Sequence, residues 1–198
     1  MDYIPTLLQF YETASTGEKP FVITLYDLAK SFNKPPRIIE LGTGGGNTLK
    51  PLALAAYELG GIVYTIDDGR ENASRPLQTI RDLKGFDLDK KVIYTCMDDT
   101  SEFAINFFQK IIKKEGLFDL IFIDTSHTYE QTLKELELYS NFLILGGYFA
   151  LHDSSPIYNG PGTYGVREAI KTFLKQPNFL WIQDRQEAAG LAILKKMG

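Results

Sequence analysis

Cysteine is almost missing from this 198-residue chain: Cys96 stands alone, so no internal disulfide can form and a reducing compartment is expected. Positive charge is not in excess either. Twenty-one Lys and Arg against 25 Asp and Glu leave a net charge of −4, which argues against an electrostatic nucleic-acid binder. No apolar run approaches the roughly 20 residues that span a bilayer. The longest, Phe142 to Leu151, is split by Gly146 and Gly147. The N-terminus carries Asp2 and no basic segment, so a secretory signal and a membrane partner are not expected, and the chain reads as cytoplasmic. What is present suits a globular protein. Hydrophobic residues make up 44% and charged ones 23%, enough at this length to bury one core, so a single domain over 1–198 is expected.

Strand-like and helix-like segments alternate along the chain. Short β-rich runs at Arg37–Leu41, Gly61–Ile66, Val92–Cys96, Phe118–Ile123 and Tyr148–Leu151 read as strands. Helical spacing falls at Val22–Phe32, Thr48–Leu59, Asn72–Leu83, Thr100–Lys114, Tyr129–Leu143 and Val166–Lys175. Phe179–Gln183 and Gly190–Leu194 read as a final antiparallel pair. Alternation of this kind predicts an α/β fold with a mostly parallel sheet covered by helices on both faces. Residues 1–20 are less regular and are a candidate lid or partner contact. Ser154 to Gly165, with Tyr158, Asn159 and Tyr164, reads as a loop able to close over a ligand.

Acids recur where these strands end: Glu40, Asp67, Asp98-Asp99, Asp124 and Asp153. Carboxyl ends of parallel strands line the ligand crevice of such sheets. Any one of these acids could be a helix cap, but a shared capping role for all five is much less plausible than a shared binding edge. The first of them opens Glu40-Leu41-Gly42-Thr43-Gly44-Gly45-Gly46-Asn47-Thr48. A dinucleotide fingerprint requires Gly-x-Gly-x-x-Gly, and the third glycine position is Asn47 or Leu49 depending on the start. A Walker loop fails as well, because Lys50 is followed by Pro51. A nicotinamide-dependent oxidoreductase is therefore disfavoured. What remains is Glu40-x-Gly42-x-Gly44-x-Gly46 with Asp67 at the end of the next strand.

This arrangement resembles the class I S-adenosylmethionine-dependent methyltransferases over about Pro36 to Leu194. The resemblance implies a Rossmann-like sandwich with a seven-stranded, mostly parallel sheet and an antiparallel C-terminal strand. It implies that Glu40, Gly42, Thr43, Gly44 and Gly46 hold the methionine part of S-adenosylmethionine. Asp67 would take the ribose hydroxyls, and Met97 and Asp98, with Asp99 as the neighbouring alternative, would flank the adenine. The segments Ile123-Asp124-Thr-Ser-His127-Thr-Tyr129 and Gly146-Gly147-Tyr148-Phe-Ala-Leu-His152-Asp153 are similar to the small-molecule O-methyltransferase branch, which includes catechol-type and antibiotic-sugar enzymes. Thr125-Ser126 and His152 depart from the usual pattern there.

Methyl transfer needs an acceptor oxygen stripped of its proton, by a base or by a cation that acidifies the hydroxyl. His127 is the candidate base, with a reference pKa of about 6.5. Asp124 can orient it, act as base, bind the cofactor or bind metal. Asp124, Asp153 and His152 are candidate ligands for Mg²⁺ or another divalent cation. Adjacent strand residues point to opposite faces, so His152 and Asp153 can share a site only if the strand has turned there. The expected activity is transfer of a methyl group to a hydroxyl oxygen of a small molecule. The alternative is a non-catalytic cofactor- or nucleotide-binding module of the same fold. A homo-oligomer is compatible with the sequence.

Overall fold

A computed structural model describes residues 4–70, 72, 74–157 and 164–198. The chain divides into two compact units, Met1–Cys96 and Met97–Gly198.

The first unit holds α1 (Ile4–Thr13), α2 (Val22–Lys30), β1 (Arg37–Leu41), α3 (Leu49–Leu59), β2 (Ile62–Asp67), α4 (Ser74–Lys84) and β3 (Val92–Cys96). Its strands run β3-β2-β1, each pair parallel. Ile38, Ile39 and Leu41 are fully buried, as a strand covered on both faces requires. Pro51 sits in the first turn of α3, where no N–H partner is lost, and Gly60 ends that helix in the left-handed conformation at φ 76°. The N-terminal segment is more ordered than the irregular reading suggested. Ile4–Thr13 is helical, and its buried Phe10 meets Phe86 edge-on with centroids 4.9 Å apart. Asn47 Nδ2 donates to Glu18 Oε2 at 2.5 Å, tying the following turn to the glycine segment.

The second unit holds α5 (Glu102–Glu115), β4 (Phe118–Ile123), α6 (Tyr129–Tyr139), β5 (Leu143–His152), α7 (Val166–Phe173), β6 (Phe179–Arg185) and β7 (Leu191–Lys196). Its strands run β4-β5-β7-β6. β4 and β5 are parallel, and β7 is antiparallel to both of its neighbours. All six residues of β4 are buried. The seven strands, mostly parallel with one antiparallel strand at the C-terminus, are those expected of a Rossmann-like methyltransferase sandwich.

One boundary differs from the sequence reading. The helix expected to reach Leu143 ends at Tyr139, and the strand expected at Tyr148–Leu151 begins at Leu143. Gly146, at φ 78°, makes a bulge within the strand instead of ending it, and the β4–β5 register shifts between Phe118 and Leu120 opposite. Gly147 is tight against β4: a Cβ there would lie 3.0 Å from the Asp119 carbonyl oxygen. Among the described residues no helix is long and apolar enough to cross a membrane.

Candidate active site

In the first unit the turn after β1 is built around a buried carboxylate. Glu40 is wholly buried, and its Oε1 accepts from Thr48 Oγ1 at 2.9 Å while its Oε2 accepts from Thr65 Oγ1 at 2.6 Å. The Thr65 proton is thereby committed, so Thr43 Oγ1, 2.6 Å from Thr65 Oγ1, is the donor of that pair. Glu40 thus joins β1, β2 and the start of α3 and holds the shape of the loop from within. Gly42 N donates to Ile66 O at 2.8 Å, and Gly46 N to Thr43 O at 2.9 Å. Asp67, half-exposed at the end of β2, accepts from Gly44 N at 3.0 Å and Gly69 N at 2.8 Å, one on each oxygen. A carboxylate has about four acceptor positions, so two remain for a ligand. Gly46 needs its missing side chain: φ is 73°, and a Cβ would run into the Thr79 methyl group.

In the second unit Met97 and Asp98 are half-buried in the turn after β3. Asp98 Oδ1 accepts from Thr100 N and Thr100 Oγ1, both at 2.9 Å, which closes the turn ahead of α5. Asp99 is buried instead and faces α6. Gln131 Nε2 bridges Asp99 Oδ1 and Glu135 Oε1, each at 3.0 Å.

Beyond β4 and β5 the structure brings together Asp124, His127, His152 and Asp153. Their four ligating atoms lie within 4.8 Å of one another. They form a closed ring in which each imidazole nitrogen meets two carboxylate oxygens. His127 Nε2 is 2.9 Å from Asp124 Oδ1 and 3.0 Å from Asp153 Oδ2; His152 Nδ1 is 3.2 Å and 2.9 Å from the same oxygens. The backbone makes this possible. His127 and Asp153 both adopt left-handed conformations, at φ 59° and 53°, which side chains other than glycine rarely take. The reversal at Asp153 turns its carboxylate to the side of His152, which straight alternation would forbid. Such strained positions gather at functional sites.

None of the strand-end acids Glu40, Asp67, Asp98, Asp124 or Asp153 caps a helix: the N-cap positions of α3, α5, α6 and α7 are Thr48, Ser101, Thr128 and Gly165. Neighbours support the ring. Gly165 N donates to His127 O at 2.8 Å, and the Tyr164 ring lies 4.8 Å from the imidazole of His127. Tyr158 and Asn159, the other residues of the expected covering loop, lie outside the described residues. Arg167 donates from Nη1 to Ser154 O at 3.1 Å and grips Asp184 with both terminal nitrogens, at 2.9 and 2.7 Å. Sequence reading missed Arg167, Gln131 and Glu135, because nothing local marks contacts such as Arg167 with Asp184, 17 residues on, or Gln131 with Asp99, 32 residues back.

The electrostatics of the ring differ from those of a lone histidine. Burial opposes charge on His127, yet hydrogen bonds to Asp124 and Asp153 outweigh it and push the pKa up to about 9. For His152, burial is outweighed by the charge of Asp124 and the hydrogen bonds to both acids, and the pKa rises to about 11. The same pairing holds Asp124 and Asp153 below the usual carboxylate range, although burial works the other way. With nothing else bound, the ring holds two imidazoliums and two carboxylates. His127 near neutral pH is then a proton holder, not the ready base its ordinary pKa suggested.

The donor chemistry fits a divalent cation. Two carboxylates and two imidazoles whose ligating atoms lie within 4.8 Å of one another are close enough to converge on one ion. A cation held by Asp124, His152 and Asp153 would replace the proton on His152 Nδ1, and its charge would favour release of the proton from His127 Nε2.

Comparison with known proteins bears on the fold and the family. No curated protein sequence matches the chain. Among solved structures, the O-methyltransferase TomG of Streptomyces achromogenes, involved in tomaymycin synthesis and in complex with SAM, is 18% identical. It covers 100% of this chain and 91% of its own at a TM-score of 0.69. An O-methyltransferase of Bacillus cereus in complex with SAH is 19% identical over 97% of this chain and 89% of its own, with a TM-score of 0.67. An SAH-bound methyltransferase of Podospora anserina is 13% identical over 97% and 88%, with a TM-score of 0.68. These likenesses establish the fold. The model of the methyltransferase domain matches residues 39–154, more than half of the sequence and a span that runs from Glu40 past Asp153. The chain belongs to the methyltransferase-domain family.

Proposed function

We propose that this methyltransferase moves the methyl group of S-adenosylmethionine to a hydroxyl oxygen of a small molecule. The observation that carries the reading is the ring of Asp124, His127, His152 and Asp153 at the ends of β4 and β5. The ring offers both devices that an alcohol or phenol needs, a cation site and a titratable imidazole. The SAM- and SAH-bound O-methyltransferases of the same fold support the choice of donor and of acceptor atom.

In this reading the glycine turn of the first unit receives the methionine part of the cofactor, and Asp67 accepts from the ribose hydroxyls with its open lone pairs. Met97 and Asp98 flank the adenine. Asp124, His152 and Asp153 hold a divalent cation, and the presence of imidazole favours Mn²⁺, Fe²⁺ or Zn²⁺ over Mg²⁺. When bound, that cation supplies positive charge that lowers the pKa of an acceptor hydroxyl and of a nearby imidazole. His127, the member of the ring with the most exposed side chain, at 22%, accepts the acceptor's proton at Nε2. Tyr164 beside it limits water. The small acceptor is the partner, and the exposed free thiol of Cys96 suits a cytoplasmic protein.

Isothermal titration with S-adenosylmethionine tests the donor. Micromolar binding that drops at least about tenfold in Asp67→Ala supports the assignment, since hydrogen bonds to charged groups are each worth roughly that much. Equal affinity in wild type and variant contradicts the role of Asp67.

A further inference from the structure

A cation lies on the glycine turn that the motif itself does not announce. Arg75, in the first turn of α4, extends its guanidinium over the turn: a Cβ built on Gly45 would lie 3.0 Å from Arg75 Nη2 and 3.9 Å from Cζ. The side chain has no hydrogen bond or ion pair among the described residues, and Arg75 is exposed. Its neighbour one helical turn on, Thr79, is committed to the loop. Thr79 Oγ1 lies 3.4 Å from Gly44 O and 3.1 Å from Arg75 O, and its methyl fills the space that Gly46 leaves. α4 therefore clamps the glycine segment through Thr79 and sets Arg75, whose charge is unpaired among the described residues, at Gly45.

The other side chains built into this turn are the wrong sign or already spent. Glu40 and Asp67 are acids, and Thr43, Thr48 and Thr65 are engaged around Glu40. A ligand with a carboxylate placed at this turn would meet the acid Asp67, and among the described residues Arg75 is the cation that reaches over Gly45. The proposed cofactor has such a carboxylate, on its amino-acid end, and a planar guanidinium matches a carboxylate with two parallel N–H donors.

We infer that Arg75 is the carboxylate-recognising residue of the cofactor site, closing over Gly45 onto the amino-acid end of the ligand. It acts as a positioning and specificity residue: it holds the cofactor by its tail while the sulfonium methyl faces elsewhere. The inference rests on the proposed S-adenosylmethionine reading.

The test compares two ligands that differ by the carboxylate alone, S-adenosylhomocysteine and its decarboxylated analogue, by isothermal titration with wild type, Arg75→Gln and Lys50→Gln. Lys50, in the first turn of α3, controls for loss of any nearby positive charge. The expected result is a wild-type preference for the carboxylate of about tenfold. Arg75→Gln should lose it, with affinity for the decarboxylated analogue unchanged within about twofold, and Lys50→Gln should keep it. Because Arg75 is exposed, thermal unfolding of the variant should match wild type. A preference that survives in Arg75→Gln, or equal weakening of both ligands, overturns the assignment while leaving the cofactor reading in place. Wild type that binds neither ligand overturns both.

Discussion

The buried pair of acids beside α6 makes a sharp prediction about pH. Glu135 is fully buried. Its Oε1 accepts from Thr125 Oγ1 at 2.6 Å and from Gln131 Nε2 at 3.0 Å, while its Oε2 is buried with no donor. The Glu135 and Asp99 carboxyl groups share the Gln131 amide in a buried site, where two like charges oppose each other and favour a proton on one of them. Burial first, then the charge of Asp99, raise the Glu135 pKa well above its ordinary value. A raised native pKa means that the folded state binds the proton more tightly than the unfolded chain. The resulting stability is present in full below the unfolded Glu pKa, about 4.3, and is lost as pH rises through the native value. The slope across that window approaches about 1.4 kcal/mol per pH unit, or roughly 3–6 °C in Tm for a chain of this size. Glu135→Gln copies the protonated form: its oxygen keeps Thr125 and Gln131, and its amide can donate to Asp99. The variant should therefore gain on wild type as pH rises above about 4.3 toward the raised native pKa and hold a constant difference beyond it, whatever offset the substitution adds. Urea unfolding followed by circular dichroism at five or six pH values reads the difference. Parallel stability curves for the two proteins would show that the fold does not raise the proton affinity of Glu135.

Three further outcomes follow from the same geometry. Gly46→Ala should cost at least about 1–2 kcal/mol from the left-handed backbone alone, with more from the clash against the Thr79 methyl; adding Thr79→Ser should recover part of the loss in chemical unfolding. Asp153→Asn should abolish tight binding of Mn²⁺ or Zn²⁺ by titration, because it removes one corner of the ring; a variant that binds the metal as wild type does would place the cation elsewhere. Arg167→Ala frees Asp184 and the Ser154 carbonyl next to Asp153, so turnover should fall several-fold while stability falls by only about 1 kcal/mol; a loss confined to stability would deny it a part in holding the ring.

Much of this could be read from residue order. Runs such as Phe118 to Ile123 mark buried parallel strands by composition alone, and the acids after two of the strands, Asp124 and Asp153, are those the fold brings together with His127 and His152. The glycine spacing excluded dinucleotide and Walker loops and pointed to the turn now seen around Glu40. The helix at Ile4–Thr13 was not legible because only Phe10 of it is buried, leaving little periodic signal. The end of α6 was missed because a short turn at Ser140–Phe142 continues the helical path before the strand begins at Leu143. At the site, His152 could be named but not placed: its entry into the ring depends on the reversal at Asp153, a backbone choice that an aspartate does not announce. The raised pKa of His127, the clamp of α4 on the glycine turn and the brace of Arg167 depend on distant partners.

The most direct measurement is transfer of an isotopically labelled methyl group from S-adenosylmethionine to a panel of phenols, catechols and sugars. It is run with Mn²⁺, with Mg²⁺ and with a chelator, and the product is identified by mass spectrometry. The expected result is an O-methyl product from at least one hydroxylated acceptor, formed fastest with Mn²⁺ and suppressed about 100-fold or more in Asp124→Asn, as befits loss of a group acting at the reacting atoms. A methyl found on nitrogen or carbon, or turnover equal in Asp124→Asn and wild type, would contradict O-methylation at this ring.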